Sequence, residues 1–290
     1  MHKFEAHEGL YTCIMRIPDE TPETESPAYT VFVNSTDSFA DTWKPFFDLL
    51  HAYWPAATDV VLNTETRTFS HSDVSVACTR VALPGEVEIP WGECMLRALD
   101  RIPTEYFVYL QDDYFLCESV RTDRIDEAVV IMAREALDCL RLMECGGAGP
   151  WEPTDYPWLW SLSRNAAYRI SLQAGLWTKS GMRKYLRSHE SPWQMEIWGS
   201  RRASRIPGEI WCVSREIYHE TKPQITPYIP TGIVKGKWNR DAVETLFADH
   251  GIEVDFEERG WWDPASVRRS SPGTKLRKLP RYAWDRLRSL

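Results

Sequence analysis

Ten consecutive residues, Tyr106-Phe107-Val108-Tyr109-Leu110-Gln111-Asp112-Asp113-Tyr114-Phe115, constrain the fold more than any other stretch of the chain. Aromatic and β-branched residues bounded by polar ones read as a buried strand. In open α/β sheets, ligands bind just beyond the carboxyl ends of strands. Two adjacent acids at such an end therefore mark where a divalent cation and a phosphorylated ligand would meet. Capping of the following turn by Asp112 and Asp113 is the competing reading.

The surrounding sequence supplies more strands and helices in alternation. Tyr29-Thr30-Val31-Phe32-Val33 reads as a first central strand that ends in the short polar cluster Asn34-Ser35-Thr36-Asp37. Residues 41–53 follow with Trp43, Phe46, Phe47 and Leu50 at helical spacing, and Pro55 closes that helix. Further strands are expected at 59–63 and 74–78, and a helix at 91–99 leads into the Tyr106 strand. Strands alternating with helices predict an α/β fold with a largely parallel central sheet covered on both faces. Beyond the acids, the periodicity predicts one helix over 123–145, a loop over 151–160, a strand over 168–174 and a helix over 180–187. Ser191-Pro192-Trp193-Gln194 carries a capping box with proline at the first helical position, which puts Glu196 within two turns of a helix start. Residues 231–238 form a basic turn punctuated by glycine, and a helix over 239–250 closes at Gly251.

With 290 residues the chain can bury a large core, and the expected division is an edge strand (10–17) with an acidic loop in 1–28, a body at 29–262 and a basic tail at 263–290. Residues 268–290 hold eight Lys or Arg against one acid, a balance of +7 within a net charge of −8, so the remainder carries −15. An acidic body does not suit tracking along nucleic acid. The tail suits an anionic membrane surface, with phage-like modified DNA as a weaker alternative. Seven cysteines with no C-x-x-C pair argue against a disulfide framework or a zinc site. The first residues lack the apolar core of a signal peptide, and no stretch approaches the ~20 apolar residues of a membrane span, so a cytoplasmic protein is expected.

From Tyr29 to Trp238 the sequence resembles bacterial and phage-type GT-A glycosyltransferases of surface polysaccharides. The residues carrying the likeness are Asn34-Ser35-Thr36-Asp37 with Trp43 and Phe46-Phe47, Tyr53-Trp54-Pro55, Trp91-Gly92-Glu93, Gln111-Asp112-Asp113-Tyr114-Phe115, Ser171-Leu172-Gln173 with Trp177, Pro192-Trp193 with Glu196, and Val234-Lys235-Gly236-Lys237-Trp238. Their order along the chain carries the likeness more than any one of them. The resemblance implies a Rossmann-like GT-A sheet, a nucleoside-diphosphate sugar as donor, with a UDP-sugar first in line, and Mn2+ or Mg2+ held by a D-x-D-like motif. Gln111 occupies the first D-x-D position, which passes the metal role to Asp113, with Asp112 on the metal or the ribose. Ser35, Asp37 and Glu93 would then face the nucleotide, Gln173 and Trp193 the sugar, and Lys235 and Lys237 the diphosphate. His219 would be a further metal ligand and Glu196 the general base of an inverting transfer to a glycan or lipid-linked hydroxyl.

Each of these residues has a plainer reading. Ser35, Asp37 and Glu93 suit helix or turn caps, a two-lysine turn suits a solvated loop, and a lone histidine suits a structural role. A nucleotidyltransferase would use the same acidic strand tip, but it calls for a Gly-rich phosphate loop where this chain has Asn34-Ser35-Thr36-Asp37. A carbohydrate-binding protein using its 14 tryptophans is the third possibility.

Overall fold

Successive side chains of Tyr106–Gln111 enter opposite cores: Val108 and Leu110 pack on one face, Phe107 and Tyr109 on the other. That alternation is what a strand covered on both sides requires. The protein is described by a computed structural model covering residues 28–143, 149–218, 224–266 and Ser289. The first half runs β1 (Tyr29–Asn34), α1 (Ala40–Tyr53), β2 (Val60–Leu62), β3 (Val76–Cys78), α2 (Trp91–Leu99), β4 (Tyr106–Gln111) and α3 (Thr122–Arg134). The second half runs β5 (Cys139–Arg141), β6 (Trp151–Pro153), β7 (Leu159–Leu162), β8 (Gly175–Thr178), α4 (Lys179–Tyr185), α5 (Pro192–Gln194), α6 (Ser200–Ala203), β9 (Ile210–Val213), β10 (Ile233–Val234), β11 (Lys237–Trp238), α7 (Arg240–Asp249) and α8 (Phe256–Arg259).

Nine of these strands form one α/β sheet in the order β3-β2-β1-β4-β8-β5-β9-β7-β6. The four strands that matter for function are parallel throughout: β3, β2, β1 and β4 pair side by side with their carboxyl ends at one edge. Strand β8 then runs antiparallel between β4 and β5. Helices cover both faces. α1 and α3 bury Phe46, Phe47, Leu50, Ile125, Val129 and Met132 on one side, and α2 and α4 bury Met95, Leu99, Met182 and Tyr185 on the other. No helix among the described residues is long and apolar enough to cross a membrane.

Three expectations are corrected. The helix expected over 123–145 ends at Arg134, because Ala136 takes a positive φ of 51° and the residues after it become an interior strand. Leu140 and Cys139 of that strand enter opposite cores, and it pairs with both β8 and β9. The strand expected over 168–174 begins only at Gly175. Upstream, Tyr168 has φ 51°, Arg169 donates to the Ala203 and Gly208 carbonyls, and the Ile170 amide donates to Ser200 Oγ, so the segment is tied to α6 rather than laddered in the sheet. The loop expected over 151–160 contains β6 and the start of β7, antiparallel strands whose Trp151 and Trp160 rings stack 5.3 Å apart at the sheet edge. Pro153 is tolerated there because an edge strand need not donate outward. The edge strand over 10–17, His219 and the tail from 268, apart from Ser289, lie outside the described residues.

Candidate active site

Strands β1 and β4 are paired along their whole length, Asn34 opposite Gln111, so the polar residues after each strand emerge together. The Asp112 amide donates to the Asn34 carbonyl at 3.2 Å. Asp112 is buried at 5% exposure, and its Oδ2 accepts from Ser35 Oγ and, at 3.1 Å, from Thr42 Oγ1 of α1. Trp43 Nε1 in turn donates to Ser35 Oγ at 2.6 Å, which orients the hydroxyl toward the acid. Burial, aided by the neighbouring Asp113 charge, pushes the Asp112 carboxyl up to about 8 despite those donors. Asp113 is half-buried, and burial pushes it up to about 6 although its own backbone amide and the Thr231 hydroxyl favour the ionised form. Ionising both of these adjacent carboxylates builds up a local excess of negative charge, which adds to burial in raising the Asp112 pKa.

The positive charge that opposes it comes from a residue the sequence did not flag. Arg259, at the end of α8, forks onto Asp41 of α1, with Nε 2.5 Å from Oδ2 and Nη2 on Oδ1, and also donates to the Ser38 carbonyl at 2.8 Å. Its guanidinium lies 4.3 Å from the centre of the Phe39 ring. Both acids feel this charge, which lowers their pKa values against the larger effect of burial. A Cβ on the adjoining Gly260 would sit 3.9 Å from Lys237 Nζ, so the ammonium of this lysine lies over the end of α8.

The basic turn is anchored to the acids. The Gly232 amide donates to the Asp113 carbonyl at 2.7 Å, and a Cβ at Gly232 would lie 2.2 Å from the Phe115 ring, so only glycine permits this approach. From there β10 and β11 form a two-residue hairpin with Lys235 at φ 51° and Gly236 at φ 77°, the signature of a type I′ turn. Both lysines are exposed at its tip.

Glu196 reaches the same region through the backbone of one residue, Leu172. Gln111 Nε2 donates to the Leu172 carbonyl at 3.0 Å, while the Leu172 amide donates to Glu196 Oε1 at 2.9 Å. Gln111 therefore spends its side chain on Leu172. Burial raises the Glu196 pKa, against the Leu172 amide, the Arg141 charge and the Ser171 hydroxyl. The Tyr114 phenol feels the charges of both Asp113 and Glu196, so the two carboxylates share its neighbourhood. Gln173 braces that ring: its Nε2 donates to Tyr114 Oη at 3.4 Å and its Oε1 accepts from Tyr228, whose ring stacks on Tyr114 at 4.7 Å.

Other expected residues have different engagements. Asp37 accepts from the Glu65, Thr66 and Arg67 amides at 3.0, 2.9 and 3.2 Å and so anchors the loop after β2. Burial alone would raise its pKa, but these donors hold it below the usual value. The Glu93 carboxylate is held by Arg97 one turn along α2, whereas its neighbour Trp91 donates to Asn34 Oδ1 at 3.2 Å. Trp193 stands 72% exposed on α5, behind the capping box that Ser191 and Gln194 complete.

The pair fits a hard divalent cation in the manner of magnesium or manganese sites that use one or two carboxylates and leave the remaining positions to phosphate oxygens and water. No cluster of three or more His, Cys, Asp or Glu suited to a metal occurs among the described residues, so the protein alone would supply only part of a shell. Asp113 is the more open donor, because Oδ2 of Asp112 is already taken by Ser35 and Thr42.

No protein-family profile and no curated protein sequence matches the chain. Among solved structures it is similar to residues 1–349 of S. aureus TarS, with a TM-score of 0.43 at 13% identity over 79% of this chain and 67% of that one. It is also similar to the mannosyltransferase PcManGT from Pyrobaculum calidifontis, solved with GDP-Man and Mn2+, at TM-score 0.45 and 12% identity over 73% of this chain and 59% of that one. A third is GalNAc-T7 with UDP, GalNAc and Mn2+, at TM-score 0.44 and 9% identity over 66% and 43%. Against a longer TarS chain the match spans about a third of that protein, 35% of its length.

Proposed function

We propose that the chain is a glycosyltransferase that moves a sugar from a nucleoside-diphosphate sugar to a hydroxyl acceptor. The observation that carries this reading is the pair Asp112–Asp113 at the carboxyl end of a parallel strand, pushed up by burial and flanked by Arg259 and the Lys235–Lys237 turn. Acids to hold a cation and bases to meet a diphosphate are what a nucleotide-sugar site has to combine. The sequence resemblance from Tyr29 to Trp238 supports the same assignment, with 29–262 as the transferase body.

A divalent ion bound there would neutralise the departing diphosphate. Asp113 would hold the ion, Asp112 orients Ser35 toward the nucleotide, and Lys235, Lys237 and Arg259 would carry positive charge to the phosphates. Glu196 is the general base. As the acceptor oxygen bonds to the anomeric carbon, its proton passes to Glu196, and the sugar–phosphate bond breaks with its electron pair leaving on the nucleoside diphosphate. A carboxylate whose pKa burial has raised is the stronger base once ionised. Attack from the face opposite the leaving group inverts the anomeric configuration.

Two measurements test the reading. Thermal-shift titration with UDP- and GDP-sugars, with and without manganese, is expected to give stabilisation that depends on both ligand and ion; stabilisation by neither would refute it. Glu196→Gln is expected to lower kcat by roughly 10²–10⁴ with donor affinity kept, the span for loss of a general base. Retention of configuration by NMR would remove Glu196 from that role.

A further inference from the structure

A cavity of about 360 Å³ opens between residues 164–168 and residues 196–204. Its volume lies within the range of small-molecule sites. Glu196 lines it, and so do Arg164, Tyr168, Ser200 and Arg201. We propose that this cavity receives the hydroxyl acceptor and selects one carrying an anionic group, a phosphate or a carboxylate, near the reacting hydroxyl. The inference rests on the glycosyltransferase reading and names the acceptor class of that site.

Position comes first. One side chain, Glu196, borders both this cavity and, through the Leu172 peptide and Gln111, the strand tip with the acid pair. A group that takes the acceptor proton has to stand between donor and acceptor. The run carrying it is unusual, because Met195–Gly199 is a π-helical turn inserted between α5 and α6, a feature often found at functional sites. Ser200, at the end of that turn, receives the Ile170 amide at 2.9 Å and fixes the opposite wall.

Charge comes second. In a chain of net charge −8, this cavity presents two exposed guanidinium groups against one carboxylate. The carboxylate nearest Arg164 is Glu209 at 3.9 Å, beyond hydrogen-bond length. Arg201 pairs with no carboxylate among the described residues, and its guanidinium rests 4.5 Å from the centre of the Trp198 ring, which holds the fork in place with its donors available. Planar forks of this kind match phosphate and carboxylate oxygens.

Shape comes third. Tyr168 is 53% exposed with a positive φ of 51°, a conformation an aromatic residue rarely adopts. Arg141, a buried residue, holds it there by donating to its carbonyl at 3.0 Å. Strain retained in this way concentrates at ligand clamps, and the exposed ring offers a flat face for a sugar.

The test uses the intact protein and three probes, glucose, glucose 6-phosphate and glucuronate, titrated by calorimetry and by intrinsic tryptophan fluorescence. At least one charged probe is expected to bind about tenfold or more tightly than glucose, the factor that one charge-assisted hydrogen bond supplies. The tighter of the two identifies phosphate or carboxylate as the group recognised, and added salt weakens it. The double variant R164Q/R201Q is expected to abolish the preference while melting as the wild type does, since both side chains are exposed. Equal binding of all three probes, or an unchanged preference in the variant, would overturn the proposal. UDP-glucose binding is measured on the same samples. Nucleotide-sugar binding without a charged-probe preference sinks this inference alone; a preference without nucleotide-sugar binding sinks the donor reading and leaves an anion-selective cavity.

Discussion

Asp113 holds a carboxylate in a place that opposes its ionisation, and the direction of that shift fixes what its removal does. A folded pKa raised from 3.8 to about 6 means that the group favours the fold most below pH 4 and that this contribution is lost as pH rises through 6. At pH 8, in chelator, Asp113→Asn is therefore expected to melt no lower than the wild type, and to gain about 2–4 °C for each kcal/mol of repulsion relieved. The same variant is expected to lose the stabilisation given by manganese with a nucleotide sugar. Differential scanning fluorimetry reads both, and a variant that melts lower yet still responds to the ion would remove Asp113 as ligand. Asp37 behaves in the opposite sense. Its pKa is held down by the Thr66 hydroxyl and the amides of residues 65–67, so its contribution is present above the unfolded value and vanishes as pH falls through the folded one. Asp37→Asn is expected to be less stable than the wild type at pH 7, and the two urea midpoints should converge below about pH 4, near the unfolded carboxyl value.

Strands β1 and β4 and helix α1 were legible because their apolar periodicity is local, and the α5 start because its capping box is four residues long. Strands β5 and β8 were not. Cys139–Arg141 is three residues whose apolar neighbours continue the spacing of α3, and only the turn at Ala136 separates them. Gly175–Thr178 becomes a strand by lying between β4 and β5, a circumstance set by residues some 35 to 70 positions away. In the site, the acids, Glu196 and the lysine turn could be found by composition and order. Arg259 could not, because its role depends on Asp41 and Ser38, over 200 residues earlier. The β10–β11 hairpin offers a direct probe of why a lysine stands at an awkward position. Asparagine is the favoured first residue of a type I′ turn, so Lys235→Asn is expected to raise stability by about 0.5–1 kcal/mol. If Lys235 meets the diphosphate, the donor KM rises severalfold in the same variant; an unchanged KM would leave the lysine to solvent.

Beyond the sheet, arginine side chains fasten separate parts of the chain. Arg202 and Glu190, 2% and 0% exposed at the side chain, pair at 2.5 Å, and Arg202 also donates to the Ser289 carbonyl. Breaking such a pair leaves a buried charge without its counterpart, so Glu190→Gln is expected to cost about 3–5 kcal/mol. Restoring neutrality with Glu190→Gln and Arg202→Met together should recover part of that loss in a double-mutant cycle by urea denaturation; strict additivity would mean that the two charges do not depend on each other. Ser289 also bears on the tail. Because it is buried against Arg202, deleting 268–290 would disturb the body, and the expected binding of that tail to anionic liposomes is better tested by reversing its arginines and lysines in place. The clamp between Arg259 and Asp41 joins residues 218 positions apart. During synthesis at about 5–20 residues per second, roughly 11–44 s pass between the emergence of its two halves. For the first third of that interval the nascent chain carries Asp41 alone, then Asp112 and Asp113 as well, with no Arg259 to answer them, so the charge balance at the strand tips is completed long after the strands that support it have been made.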